Sequence, residues 1–241
     1  MKFPDPLLRA TLIKRYKRFL SDHELEDGTT VTAHCANTGA MLGLTAPGSE
    51  TWLSPARNPD RKLRYSWEMI RVAPGAGGLV GIHTAHPNTI VAEAIAAGNV
   101  AELAGYTGIR REVRYGENSR IDLLLEKDGA PPCYVEVKNV HLRREDDLAE
   151  FPDSVTQRGA KHLRELSGVV QGGGRAVMLY LVQRADCDAF ALAADIDPEY
   201  AAAFAEAHQS GVEALCYACR LSEREITLDR PLPIDFSRSG S

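Results

Sequence analysis

Long apolar runs are missing from this chain. None approaches the ~18–20 consecutive apolar residues needed to cross a bilayer as a helix. The opening Met1-Lys2-Phe3-Pro4-Asp5-Pro6 has no apolar core of the kind a secretory leader carries. Both absences point to a cytoplasmic protein with no membrane partner. Cysteine is scarce and odd in number, five in 241 residues, which argues for free thiols rather than a disulfide framework. Cys216-Tyr217-Ala218-Cys219 has the spacing of half a zinc site. No second pair completes it, and it falls in a predicted strand rather than a knuckle. Gly75-Ala76-Gly77-Gly78 is not followed by the Lys-Ser/Thr of a phosphate loop. There is no Gly-x-Ser-x-Gly elbow and no internal repeat. Excess positive charge is also missing: the net charge is −5. Any nucleic-acid contact must therefore be local and salt-sensitive.

What is present is ordinary globular composition, 44% hydrophobic and 25% charged, enough for one large or two smaller domains. The charge is uneven. Residues 1–80 carry 11 Lys and Arg against 8 Asp and Glu, and residues 81–241 carry 17 against 25. The front segment, 7–80, reads as all-β. Leu8–Leu20, Thr29–Cys35, Glu50–Ser54 and Leu63–Val72 are strand candidates separated by turn residues, which predicts a small barrel. Its first strand interleaves basic and aromatic residues: Arg9, Lys14, Arg15, Tyr16, Lys17, Arg18, Phe19. Single-strand-binding platforms share that pattern, as does a strand with a snorkelling basic face over a core ring. Arg57, Arg61, Lys62 and Arg64 form a second basic group.

After Pro74–Gly78 the pattern changes to alternating strands and helices, which predicts a boundary there. The expected domains are 1–78, a barrel, and 79–236, an α/β domain, with 237–241 a disordered tail. Leu79–His83 reads as a strand. Pro87-Asn88 opens a helix with Asn88 as N-cap, and Gly98 closes it. Glu93 is the lone acid of that helix, either solvated or a third acid beside the hairpin described next. His83 and His86 allow two imidazoles near a metal, or simply a strand-to-helix loop. Residues 141–153 read as polar and mobile. Ser154–Gln171 has helical period, with Val155, Leu163, Leu166 and Val170 on one stripe and Arg158, Lys161 and Glu165 on another. Ala176–Val182 reads as a doubly covered parallel strand. Asp197-Pro198 opens a further helix that Gly211 closes, and Val212–Leu221 follows as a strand.

The centre of the chain is Ser119–Glu126, a turn, and Cys133–Val140. Both arms alternate apolar and polar residues, the period of a strand. With Gly129 at the tip, facing residues sum to 258, so Asp122 lies opposite Glu136. Ile121, Leu123, Leu125, Cys133, Val135 and Val137 then share one face, and Asp122, Glu136 and Lys138 the other. Two carboxylates that close repel each other, and a divalent cation relieves the repulsion. A lysine beside it suits phosphodiester chemistry. The same three residues also fit a solvated hairpin face.

Several blocks taken together resemble one family. They are Leu8–Leu20, His34-Cys35-Ala36-Asn37-Thr38-Gly39, Glu112–Gly116, Ser119–Asp122, Tyr134–Val140, Phe151–Leu166 and Arg175-Ala176-Val177. In order, and nearly end to end, they resemble the bacterial sugar fermentation stimulation protein A family. The resemblance implies an α/β protein overall: an N-terminal OB-like barrel, then a domain similar to the PD-(D/E)xK nucleases with a mixed central sheet. It implies non-specific DNA binding through phosphates and a regulatory link to maltose metabolism. By position, Asp122 matches the first acid of the nuclease motif, with Ile121 in place of the nominal proline. Glu136 and Lys138 match the E-x-K element, and Glu93 matches the acid of the preceding helix. Asp122, Glu136 and Glu93 are then expected to hold Mg²⁺ or Mn²⁺. Arg158 and Lys161 sit where such folds place phosphate-binding groups. DNA binding without cleavage and metal-dependent nuclease action both remain open.

Overall fold

In the computed structural model, residues 1–72, 78–116, 119–145 and 147–238 are described, Arg238 by its backbone alone. The first strands are β1 (Leu8–Tyr16), β2 (Leu20–Leu25), β3 (Thr30–Cys35), β4 (Glu50–Pro55), β5 (Tyr65–Arg71) and β6 (Leu79–Gly81). They pair in the order β3-β2-β1-β4-β5-β6, and a parallel β3–β5 pairing closes five of them into a barrel. Trp67, Leu12, Cys35, Leu53 and Ile70 fill it. The long run expected over Leu8–Leu20 is two strands. Lys17 and Arg18 take left-handed backbone, φ 50° and 64°, and turn the chain back on itself. The predicted boundary at Pro74–Gly78 lies almost wholly outside the described residues. Beyond it, β6 pairs with β5 and so belongs to the barrel sheet.

The second part begins with α1 (His86–Ala96), followed by β7 (Gly108–Tyr115), β8 (Ser119–Glu126), β9 (Cys133–Val140), β10 (Leu142–Glu145) and β11 (Asp147–Phe151). Then come α2 (Gln157–Gln171), β12 (Arg175–Val182), β13 (Cys187–Leu192), α3 (Pro198–Gln209), β14 (Glu213–Leu221), β15 (Ile226–Pro231) and β16 (Ile234–Asp235). The main sheet runs β15-β14-β12-β9-β8-β7. β9, β12 and β14 are mutually parallel through the crossovers α2 and α3, and the outer strands are antiparallel. It is thus a mixed sheet with helices on both faces. Ile90, Val91 and Ile95 of α1 pack with Leu123, Val135, Val177 and Cys219 on one face. Leu163, Tyr200 and Phe204 pack with Met178, Tyr180 and Cys216 on the other. Cys216 and Cys219 therefore point to opposite sides of one buried strand, a geometry in which the pair cannot ligate one ion.

Residues 141–153 are not the mobile loop that their polarity suggests. β10 and β11 pair with each other, and β11 runs parallel to β13. The polar residues are matched in ion pairs whose acids are buried: Arg144 Nη2 to Glu150 Oε1 at 2.6 Å and Arg143 Nη1 to Asp186 Oδ2 at 2.6 Å. Composition reads as loop where charge is internally matched. At the C-terminus, Phe236–Arg238 form a short 3-10 turn rather than beginning a disordered tail at 237. Residues 239–241 lie outside the described residues. Among the described residues no helix is long and apolar enough to cross a membrane.

The two parts share a seam. Val80 bridges to Arg184, and the Gly81 N–H donates to the Gln183 carbonyl at 2.8 Å. A Cβ at Gly81 would sit 2.8 Å from Gln183 Oε1 and 3.3 Å from Gln183 Cβ, so a larger residue there would have to displace that side chain. The amino terminus crosses as well: Lys2 bridges to Glu225, and the Ile226 N–H donates to the Met1 carbonyl at 2.9 Å.

Candidate active site

The hairpin register is the one that the sum of 258 predicts: Leu123 faces Val135, Leu124 faces Tyr134 and Leu125 faces Cys133. Pairing stops there, and the next polar side chain takes over. Asp122 Oδ2 accepts the Val137 N–H at 2.8 Å. The expected alternation breaks at the same place. The β7–β8 ladder skips Glu112 and Asp122, and Glu112 has φ 53°. As a result Ile121 packs with Tyr115, Leu124 and Leu163, not with Leu123 and Leu125 on the α1 face.

Asp122 is also held from α1. The expected N-cap, Asn88, does not cap: the helix begins at His86 with Ala85 as N-cap and no side-chain cap bond. Asn88 Nδ2 instead donates to Asp122 Oδ1 at 2.7 Å. Glu93 goes elsewhere. Its side chain is 54% exposed and pairs with the Met1 ammonium at 2.7 Å. The residue by which α1 reaches the hairpin acid is thus Asn88.

Glu136 is 2% exposed. Lys138 Nζ donates to its Oε1 at 2.7 Å, and His162 Nδ1 of α2 bonds the same oxygen. Arg158 Nε donates to His162 Nε2 at 3.3 Å. An arginine only donates, so Nε2 must accept and Nδ1 carries the proton given to Glu136. α2 is oriented for this by Thr156, whose hydroxyl accepts the Gly159 N–H at 3.1 Å, and by Asp197, which accepts the Thr156 N–H at 2.6 Å. Val155, expected on the buried stripe, precedes the helix and is 67% exposed.

The electrostatics of the two hairpin acids diverge. Burial, then the neighbouring Glu136, push Asp122 up to about 6, against the Val137 N–H, Asn88 and Lys138. Burial also works against ionised Glu136, but His162 and Lys138 together bring it below the ordinary glutamate range. Among the described residues, Tyr115 Oη and Glu136 Oε2 are buried without a hydrogen-bond partner, as are both carboxylate oxygens of Glu165. The Tyr115 phenol is pushed far above its usual value by burial and then by Glu136, Glu165 and Asp122. Lys161 Nζ is 3.7 Å from Glu165 Oε1. Gly116, at φ 57°, lets the chain pass over this acid: a Cβ there would meet Glu165 Oε1 at 3.0 Å.

Three carboxylates thus act on one phenol, with unsatisfied oxygens among them. Such an arrangement is costly unless a cation joins it. Hard carboxylate oxygens with no thiol are the donor set for Mg²⁺ or Mn²⁺. Asp122, Glu136 and Lys138 are brought together as expected. Glu165, Tyr115, His162 and Asn88 join them, beyond what the sequence pattern predicts. The only available signal was the spacing of Arg158, Lys161, His162 and Glu165 along one helix face.

The basic residues of the barrel are largely engaged. Arg9 pairs with Glu50, Lys14 Nζ lies 3.6 Å from Asp22, and Arg57 Nε is 2.8 Å from Asp5. Arg15 donates to the carbonyls of Arg18, Asn37 and Gly39. Arg61 donates to Ser66 and Arg64 to the Pro59 carbonyl. Tyr16 bonds Asp22 and lies under Lys14. Lys17, Arg18 and Phe19 project at the β1–β2 turn, with Phe19 49% exposed, and Lys62 is exposed. Arg158 and Lys161 are exposed on α2 beside the acid cluster. An open groove of about 760 Å³ on the barrel, lined by Arg9, Thr11, Glu24, Glu50 and Arg71, is separate from that cluster.

Comparison with known proteins follows the same division. Residues 13–82 match the family model described as the SfsA N-terminal OB domain, and residues 85–225 the one described as the sugar fermentation stimulation protein RE domain. The sugar fermentation stimulation protein homolog of Paramagnetospirillum magneticum is 64% identical over 98% of this chain and 99% of its own length. That of Rhodospirillum centenum is 61% identical over 96% and 98%. Among solved structures, Pyrococcus furiosus SfsA in complex with Ca²⁺ superposes with a TM-score of 0.86 at 27% identity, covering 98% of each chain.

Proposed function

The chain belongs to the sugar fermentation stimulation protein A family, and from that premise we propose that it binds DNA without sequence preference and hydrolyses its phosphodiester bonds with Mg²⁺ or Mn²⁺. The observation that carries the proposal is the pairing of half-buried Asp122 with buried Glu136, with Lys138 bonded to Glu136 at 2.7 Å and Glu136 Oε2 without a partner among the described residues. Asp122 and Glu136 are the residues that would hold the ion, with Glu165 acting on the same Tyr115 phenol. The bound ion supplies Lewis-acid polarisation of a phosphate and a more acidic water. The protein's own groups do the rest. Arg158 and His162 lock the Glu136 carboxylate in place, and Asn88 and the Val137 N–H lock Asp122. Lys138 sets a positive charge where a phosphate develops negative charge. Arg158 and Lys161 border the cluster and suit phosphate contacts on either side of it. The Pyrococcus furiosus relative is described in complex with Ca²⁺, which agrees with hard-cation chemistry in this family.

A second reading is DNA binding without cleavage, as a regulator of sugar metabolism. It is favoured by the net charge of −5 and by the way Lys138 and His162 already share Glu136 Oε1. Incubation with single-stranded, duplex and branched DNA in Mg²⁺, Mn²⁺ or EDTA, beside Lys138→Ala, separates the two. Metal-dependent cleavage lost in the variant supports hydrolysis. Retention of DNA with no cleavage of any substrate leaves the second reading. Failure to retain DNA at low salt overturns both.

A further inference from the structure

A second group of side chains lies at the seam between the barrel and α1. Glu68 of β5, with His83 and His86 at the β6–α1 junction, brings one ligand atom from each residue within 4.8 Å of the other two. His86 Nε2 is 3.5 Å from Glu68 Oε2. The two imidazoles stack in parallel with centroids 4.0 Å apart. Glu68 is 4% exposed. Ser54 donates to its Oε1 at 2.5 Å, while among the described residues its Oε2 and His86 Nδ1 are buried with no hydrogen-bond partner. A carboxylate this deep, with one oxygen oriented and the other unused, is costly unless a cation completes it. Neutral imidazole is the form that ligates metal.

We propose that Glu68, His83 and His86 form a binding site for a transition metal of the Zn²⁺ class, distinct from the acid cluster, that clasps the barrel to α1. Two imidazoles and one carboxylate are borderline donors that suit Zn²⁺, Co²⁺ or Fe²⁺ better than Mg²⁺. Ligands at about 2.0–2.2 Å around a tetrahedral ion lie ~3.4 Å apart. His86 Nε2 and Glu68 Oε2 already stand near that spacing, so loading chiefly turns the imidazoles out of their parallel stack. The site has mechanical reach. His86 is the first residue of α1, and Asn88, two residues on, holds Asp122. A metal at the seam fixes the helix end that positions the hairpin acid.

The test uses the whole chain, stripped with chelator and titrated with Co²⁺ and Zn²⁺. Asp122→Asn/Glu136→Gln protein is run in parallel so that the acid cluster cannot supply the signal. The expected result is one equivalent of Co²⁺ with the visible bands of a four-coordinate ion, retained in that double variant and lost in His86→Gln and in Glu68→Gln. Zn²⁺ should raise the unfolding temperature of wild type and leave those two variants unmoved. X-ray absorption at the metal edge of loaded wild-type protein gives a reading that needs no variant. Imidazole scattering with only N and O neighbours supports the site. A sulfur shell, which would place the metal on cysteine, overturns it. So does an unchanged stoichiometry in folded His86→Gln protein, or no retained metal in wild type.

Discussion

Asp122 accepts the backbone N–H of Val137 at 2.8 Å, one residue past Glu136 and immediately beyond the last paired residues of the β8–β9 hairpin. The carboxylate stands in for the next strand partner, and in doing so it is drawn into a buried site beside a second acid. Its ionisation is therefore costly, and stability should record this. Asp122 rises from 3.8 to about 6 on folding. Its favourable contribution is full below pH 4 and is lost as pH rises through 6. Asp122→Asn keeps the shape and has no charge to lose. Urea unfolding should show the variant near wild type at pH 4 and more stable by about 3 kcal/mol at pH 7. A gap that does not widen with pH would refute this account of Asp122.

Lys138→Ala removes the charge beside Glu136 while leaving the Arg158–His162 bond chain in place. Metal-dependent cleavage is expected to fall by about 10²–10³. DNA affinity, measured by fluorescence anisotropy in EDTA, should change less than ~3-fold, since Lys138 is largely buried. A loss of affinity in step with cleavage would mean that Lys138 acts as a phosphate contact alone.

At the barrel tip, Lys17 and Arg18 are the basic residues turned out by the left-handed turn. Lys17→Ala/Arg18→Ala should lower the slope of log affinity against log salt by about 2. Phe19→Ala should weaken single-stranded DNA by about 1–3 kcal/mol and duplex much less, because a stacking ring needs an unstacked base. Equal effects on both forms would remove Phe19 from a stacking role.

His23 sits inside the barrel between Thr51 Oγ1 and Ser21 Oγ, at 2.9 and 2.8 Å, edge-on to Trp67. Burial lowers it to about 4. The unfolded chain takes up a proton near 6.5 that the fold refuses, so stability drops as pH falls from 6.5 towards 4. His23→Gln should lessen the loss between pH 7 and pH 5 by about 2 kcal/mol, read from unfolding curves at the two values.

Glu93, Asn88 and residues 142–151 show where local pattern runs out. Glu93 is the lone acid of α1, and by position it looks like a site residue. The helix phase turns it to the Met1 ammonium. Asn88 has the sequence signature of a cap, yet its amide is better used on a buried carboxylate. The strands β10 and β11 escape notice because Arg143, Arg144 and Glu150 look solvated, and their charge is matched only through Asp186 and Asp195, some 40–50 positions away. Each case turns on a contact between residues distant in the chain.

What the sequence determined by itself is the hairpin and its acids. Period-two alternation and one turn place Leu123 opposite Val135, and they bring Asp122 and Glu136 to its open end, because strand geometry leaves side chains only two directions. The all-β character of the first segment followed from the same local rules, while its closure rests on the parallel β3–β5 pairing. Only the tertiary structure decided that Glu165, Tyr115 and His162 would converge on those acids. That depends on how α2 lies across the sheet, which the packing of Leu163 and Leu166 against Tyr115 and Ile121 sets. The local pattern specifies which face a residue takes. What that face meets is settled by packing between distant elements, where a buried charge must find its partner.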